Sequence, residues 1–523
     1  MEITTIPYEI LSLIFEFAVW SDPFPSFPSM LPPVHGTSRS GSSIDRYDPE
    51  LRITIGLVCK RWKSVRDASP RLWSRITVVY DRIGKAPTQT LRWLLARSGA
   101  LPLDVWLSSA SSERSIDTPG DSTVRSFVRL SQALTQVINV LQHSIPRWRS
   151  LHLNPRSRSE AYVSFVRFKQ PALRLTELTM SAQDAGGTVQ SLTTLHGDGT
   201  FPVPTIFNNQ TPELRSVSIE PLAFSIDSQF IKNLHDIRLS RGWTTLSRLL
   251  DVLRSNPNLE TLVIIMVEFE DVLSTSNSQI SLETKQEALT LPALHTMRLD
   301  LTRKEMTRLL ESLTLPSLES LSLCRSEEGN ASETPANDGV TATSTLLRVI
   351  GDQRRKQKMP LTSFSFTYGS VWETNATQGE EGTDAALVDL LSACGSLESL
   401  EVHNYSHYHS TLLDELTRKN GDIPLICPSL SSLHISRCEG QQRHAVRRFV
   451  ESRLINKQVE EPGDPSLGHV RSCTLNSLVI EASHDKVVCG SEDIRWIQQH
   501  VPHFQVEQFG LLVHRRIVLE DDF

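Results

Sequence analysis

The feature that most restricts how this chain can fold is a segment that recurs along it, apolar-x-x-apolar-x-apolar. Eleven copies have their middle positions at Leu151, Leu178, Val217, Ile237, Leu262, Met297, Leu321, Phe364, Leu400, Leu433 and Leu478. The template alone decides nothing, because at 39% apolar residues it arises by chance about thirty times in a chain of this length. Two further regularities decide it. Nine of the eleven copies place Ser or Thr directly before the middle position: Ser150, Ser216, Thr261, Thr296, Ser320, Ser363, Ser399, Ser432 and Ser477. Ser and Thr are roughly a fifth of the chain, so about two such coincidences are expected among unrelated segments. Five copies also open with Pro-x-Leu, at Pro212, Pro257, Pro292, Pro316 and Pro428, and Gly395-Ser396-Leu397 opens a sixth. The segments are true repeats.

What precedes each segment gives the repeat its physical sense. Leu246 to Leu253 has helical periodicity, Pro257 stops it, and Leu262-Val263-Ile264 reads as a strand. The same order recurs at Met306 to Leu323, Ala385 to Val402 and Val128 to Leu153. One helix and one short strand cannot bury their own apolar faces, so the repeats must stack, strands on one side and helices on the other. The expected fold class is α/β, an irregular solenoid with a curved parallel sheet over 81–523, behind a small helical region over 1–80. The longer repeats carry polar inserts at Arg325 to Asn337 and Asn375 to Thr383, which read as loops.

Alternation along the strands predicts that the residues between and after the inward apolar positions face the concave side. That row reads His152/Asn154, Ser218/Glu220, Arg238/Ser240, Arg298/Asp300, Glu401/His403 and His434/Ser436. It is polar with both signs of charge, which suits a protein ligand. Arg238, Arg298, Glu401, His403 and His434 are the expected substrate contacts.

Composition narrows the classes of function. Net charge is −7 with no basic stripe, so no nucleic-acid partner is expected. The seven cysteines include no CxxC pair, which predicts neither a zinc site nor a disulfide framework, but reduced thiols in a cytoplasmic or nuclear protein. Glu2, Glu9 and Glu16 argue against an export signal. No run of about eighteen apolar residues predicts a membrane span. The N-x-S/T matches at Asn209, Asn330, Asn375 and Asn404 read as chance occurrences. His403, His407 and His409 lie close together, but no adjacent carboxylate or cysteine completes a metal set. No phosphate loop, dinucleotide fingerprint, nucleophile elbow or zincin motif is present. Neither a cofactor nor a catalytic group is expected.

The N-terminus reads differently from the repeats. Ile6 to Phe17 is an amphipathic helix, with Thr5 as N-cap, Pro7 in the first turn and a broad apolar face of Ile10, Leu11, Ile14, Phe15 and Phe17. Asp22 to Asp48, rich in Pro, Ser and Gly, has no period and reads as a flexible insert over about 22–48. A helical pattern then runs from Glu50 through Val65. A turn at Ser69-Pro70 leads to Leu72-Trp73 and a β-like stretch from Ile76 to Tyr80.

Three blocks in this region together resemble the F-box family: Ile6-Pro7-Tyr8-Glu9-Ile10-Leu11-Ser12-Leu13-Ile14-Phe15, Val58-Cys59-Lys60-Arg61-Trp62 and Pro70-Arg71-Leu72-Trp73. The Asp22–Asp48 insert, which lengthens the gap between the first two blocks, departs from the family pattern. Looping it out costs only ~0.6 kcal/mol per doubling of length. The repeats resemble the leucine-rich arrays often appended to F-boxes, a combination similar to the large F-box families of mushroom-forming fungi. The resemblance implies a non-catalytic subunit of an SCF-type ubiquitin ligase. It implies docking on a Skp-family linker subunit, and through it on cullin and RING subunits, with an unidentified protein substrate held on the repeats. The docking residues implied are Ile6, Pro7, Ile10, Leu11, Ile14, Phe15, Val58, Cys59, Trp62, Leu72 and Trp73, with Trp62 and Trp73 also expected in the F-box core and its junction with the repeats. The alternative is a leucine-rich interaction scaffold that serves no ligase.

Overall fold

A computed structural model describes residues 6–20, 49–80, 87–109, 122–155, 158–181, 206–220, 231–269, 288–324, 336–367, 381–403, 410–420, 423–438, 443–457, 470–473, 475–482 and 491–508. Thr5, the Asp22–Asp48 insert, most of both polar inserts, Asn330, Asn375, Asn404, His407 and His409 lie outside them. The chain forms two compact units, Met1–Lys232 and Asn233–Phe523, both mixed α/β with parallel sheets.

The first unit opens with α1 (Tyr8–Trp20), α2 (Pro49–Val58) and α3 (Lys60–Ala68), then a 3-10 turn at Pro70–Trp73. The helical pattern expected to run unbroken through Val65 is interrupted at Cys59. That residue is extended (φ −159°), and its Sγ accepts the Trp62 N–H at 3.4 Å, capping α3. Five parallel strands follow in spatial order: β1 (Arg75–Tyr80), β2 (Leu103–Ser109), β3 (Trp148–Asn154), β4 (Glu177–Ser181) and β5 (Ser216–Glu220). Helices α4 (Thr88–Arg97), α5 (Ser122–Leu141) and α6 (Arg158–Arg167) connect them. The helical N-terminus, expected as a region of its own over 1–80, therefore belongs to the same unit as these strands. The cause is Trp73, which is buried, meets Trp93 of α4 edge-on at 4.9 Å and leads directly into β1.

In the second unit the sheet is built from β6 (Asp236–Thr244), β7 (Thr261–Phe269), β9 (Thr296–Asp300), β11 (Ser320–Cys324), β12 (Ser363–Thr367), β13 (Ser399–His403), β16 (Ser432–Cys438), β19 (Ser477–Ala482) and β20 (His503–Gln508), each parallel to the next. Three short pairs lie outside it: β8 (Leu289–Thr290) with β10 (Leu313–Thr314), β14 (Lys419–Asn420) with β15 (Ile423–Pro424), and β17 (Leu454–Lys457) with β18 (Val470–Cys473). Helices α7 (Leu246–Arg254), α8 (Arg303–Glu311), α9 (Ala336–Gln357), α10 (Glu381–Ala393), α11 (Ser410–Thr417), α12 (Arg443–Ser452) and α13 (Ser491–His500) alternate with the strands.

Within each unit the repeat is a register. Leu151, Leu178 and Val217 are successive Cα partners in the first. Ile237, Leu262, Met297, Leu321, Phe364, Leu400, Leu433 and Leu478 are so in the second. Ile76, Val105 and Phe504 extend the same rows on strands outside the eleven segments. Pro-x-Leu is a tight turn at the strand entry. The Leu N–H donates to the carbonyl of the residue before Pro, as in Leu259 to Asn256 (3.1 Å), Leu214 to Thr211 (3.2 Å) and Leu430 to Cys427 (3.0 Å). Proline fits there because its ring presets φ at the second turn position.

The helix termini and the joins between repeats are closed by specific bonds. Thr302 and Glu305 form a capping box at α8, and Glu305 also accepts the Phe269 N–H at 2.8 Å, tying that helix to β7. Arg453, fully buried, donates to Cys427 O (2.7 Å), Ile426 O (3.1 Å) and Leu416 O (3.2 Å), joining the end of α12 to the repeat before it. The thiols of Cys394 and Cys427 are buried, and burial pushes the Cys427 pKa up to about 12. Both sulfurs therefore stay neutral. Among the described residues no helix is long and apolar enough to cross a membrane.

Candidate docking site

Helix α1 is apolar on two sides. Leu11, Phe15 and Val19 form one stripe and are buried with Ile55, Val65, Leu72 and Trp73. Ile10, Leu13, Ile14 and Phe17 form the other, at the i, i+3, i+4, i+7 spacing of a single helix face, and all four are exposed, Phe17 at 74%. Helix α2 repeats the arrangement. Ile55 points into the core while Ile53 and Leu57 stay in solvent, Leu57 at 77%.

Polar contacts set which stripe of α1 faces inward. The Ser12 and Ser69 hydroxyls hydrogen-bond at 2.7 Å, Glu16 lies 3.7 Å from Arg71, and the Arg61 guanidinium sits over the Tyr8 ring and donates to Ile6 O. Phe15 packs on Trp62 with ring centroids 4.9 Å apart. Trp73 Nε1 donates to Arg66 O at 3.1 Å, which satisfies the one polar atom of a buried indole.

The implied docking set therefore divides. Leu11, Phe15, Leu72 and Trp73 are core residues, Leu11 only 1% exposed, and cannot touch a partner without unfolding. This corrects the expectation for Leu11 in particular: its side of α1 is already covered by α3 and the Pro70–Trp73 turn. Ile6 and Trp62 are half-buried against that core. Pro7, Ile10, Ile14, Val58 and Cys59 are exposed. Tyr8, Leu13, Phe17, Ile53 and Leu57 are exposed apolar residues outside the implied docking set.

The expected substrate residues occupy the polar face of the second sheet. In register order its central row is Arg238, Val263, Arg298, Ser322, Ser365, Glu401, His434, Val479 and Gln505. Arg238 is held by Asp236 at 3.2 Å. Arg298 and Glu401 are three strands apart, about 14 Å at the usual strand spacing, so the five residues do not form one site. Glu401, His403 and His434 do come together. His403 Nε2 lies 3.7 Å from Glu401 Oε2, its Nδ1 lies 3.0 Å from Ser436 Oγ, and its ring meets that of His434 edge-on at 5.2 Å. His434 Nε2 lies 3.1 Å from Glu481 Oε1. The neighbouring His403 imidazole holds the Glu401 carboxyl below its ordinary range, against partial burial that acts the other way.

In the first unit the expected open row is closed at His152 and Ser218, while Asn154 and Glu220 are half-buried. The Trp106 ring stacks on His152 at 4.6 Å. Burial lowers the His152 pKa to about 4. Neither family models nor curated proteins match the sequence. Among the described residues no group of three or more His, Cys, Asp or Glu is arranged to hold a metal ion.

Proposed function

We propose that the chain is a substrate-recognition adaptor of an SCF-type ubiquitin ligase, an F-box docking a Skp-family subunit ahead of a leucine-rich solenoid that holds a protein substrate. The observation that carries this reading is the second apolar stripe of α1. A helix that is apolar on both sides needs a neighbour on both sides, and Ile10, Leu13, Ile14 and Phe17 have none in the chain's described residues. Contiguous exposed apolar surface of this kind marks a protein-interaction face, and a helical stripe at this spacing fits an apolar groove on a partner. The three sequence blocks that resemble the F-box family name that partner as a Skp-family subunit, with cullin and RING subunits beyond it.

In this reading the chain contributes proximity. Holding a substrate lysine near the ubiquitin thioester converts an encounter into a positioned reaction, and no residue of the chain takes part in the bond change. The mixed polar face of the second sheet supports a protein as the ligand. Reconstitution with Skp-family, cullin and RING subunits and ubiquitin-conjugating enzyme tests the function. Proteins captured by the repeats should acquire ubiquitin only when the full chain is present. Equal modification without the chain would refute it.

A further inference from the structure

Arg238 and Arg298 stand in one outward row on β6 and β9, with Val263 of β7 between them as the Cα partner of both. Two strand spacings put their Cα atoms about 10 Å apart, a gap that two arginine side chains can close from either side. The two guanidiniums are held differently. Arg238 is tethered at Nε alone, to Asp236 at 3.2 Å, and its side chain is 37% exposed. Arg298 is half-buried, with its Nε closed off and without an acceptor, and among the described residues no carboxylate or carbonyl meets its two Nη. A cation partly withdrawn from water without a counter-ion is costly, and an incoming carboxylate removes that cost. Val263 and Ser322, the Cα partners of Arg298 on the neighbouring strands, are too short to reach over a guanidinium. Asp300, two residues beyond Arg298, makes no ion pair with it. Arg241 and Glu268, one of each sign, stand near the far ends of β6 and β7.

We propose that Arg298 and Arg238 form a recognition site for an acidic side chain of the protein laid on the repeats, its carboxylate lying over Val263 with Arg298 as the principal partner. A carboxylate fits because its two oxygens match the planar fork of one guanidinium and keep lone pairs for the N–H groups of the second. Asp236 already offsets one of the two positive charges, so a monoanion suits the site better than a phosphoryl dianion. The chain as a whole carries −7, so its long-range field does not draw acidic ligands in, and a preference for them has to come from local contacts. The inference rests on the reading of the repeats as the substrate-bearing part.

The test is fluorescence anisotropy with the full chain and two labelled peptides, one with glutamate at two positions of a Gly-Ser backbone and one with glutamine at the same positions. Glutamine keeps the shape and removes the charge. The glutamate peptide should bind about tenfold tighter, as expected when a charge-assisted pair is lost. Arg298→Gln should abolish most of that preference and Arg238→Gln should weaken it, while Arg254→Gln, on the exposed side of α7, should keep it. Thermal melts accompany each variant. Arg298→Gln should melt no lower than the parent, because no bond within the fold is lost, and an early melt would show that the guanidinium already has a partner. That result, equal binding of the two peptides, or a preference unchanged in folded Arg298→Gln and Arg238→Gln would each overturn the proposal. Capture of a Skp-family subunit by the same preparation separates the two readings. Glutamate preference without capture sinks only the ligase assignment, and capture without preference sinks only the carboxylate site.

Discussion

Truncating Leu11 and truncating Ile14, three residues apart on α1, should have opposite kinds of effect. Leu11 is 1% exposed inside the core formed with Phe15, Val65, Leu72 and Trp73, whereas Ile14 is 46% exposed. Leu11→Ala removes buried methyl groups and leaves a cavity, which costs about 3–4 kcal/mol in a well-packed core. Ile14→Ala removes carbon already half in water and should cost below about 1 kcal/mol. Native-state hydrogen exchange of the α1 amides reads both, and is preferable to a global melt because the chain has two compact units. Leu11→Ala should accelerate exchange roughly a hundredfold or more, and Ile14→Ala less than about fivefold. Similar acceleration by both would refute the assignment of inner and outer stripes, and with it the claim of an uncovered face.

Two further outcomes follow from buried polar groups. Arg453→Met removes the donor to three buried carbonyls and should destabilise the second unit by about 2–4 kcal/mol. Arg453→Lys should recover little, because one ammonium cannot reproduce the fork, and recovery to the parent melting temperature would contradict the role given to the guanidinium. His152 titrates near 4 in the folded chain against 6.5 for the ordinary side chain. Between those values the unfolded state takes up the proton and the folded state does not, so stability is intact above pH 6.5 and falls as pH drops toward 4, by about 3 kcal/mol. Urea titrations from pH 7 to 4.5 should show a shallower pH slope in His152→Gln, and identical slopes would show that His152 is not the cause.

The strands were legible because the strand entry has strict needs. Proline suits the second position of the turn, and Ser or Thr precedes the inward residue on strand after strand from Thr261 to Ser477. Where Arg75, Asp104 and His503 stand in that place, the pattern is broken and β1, β2 and β20 escape it. Helix α1 was legible as apolar but not as two-sided. Nothing in its own residues tells Leu11 from Ile14, and the distinction comes from Trp62, Val65 and the Ser12–Ser69 bond across the fold. The break between α2 and α3 at Cys59 is not legible in the sequence, because a thiol is a weak cap that sequence patterns do not announce. Glu481 escapes the outward polar pattern because Val479, apolar in the central row, interrupts it on β19. His152 looked open because alternation assigns a side of the sheet without showing that Trp106 covers it.

The most direct test of the central claim is the affinity of the full chain for a purified Skp-family subunit, measured by titration calorimetry beside an Ile14→Asp/Phe17→Asp/Leu57→Asp variant. Removal of such anchors costs about 2–4 kcal/mol each, so the parent should bind stoichiometrically and the variant, folded as judged by an unchanged melt, should show no measurable binding. A folded parent that does not bind, or a variant that binds as tightly as the parent, would contradict docking through the exposed face of α1 and α2.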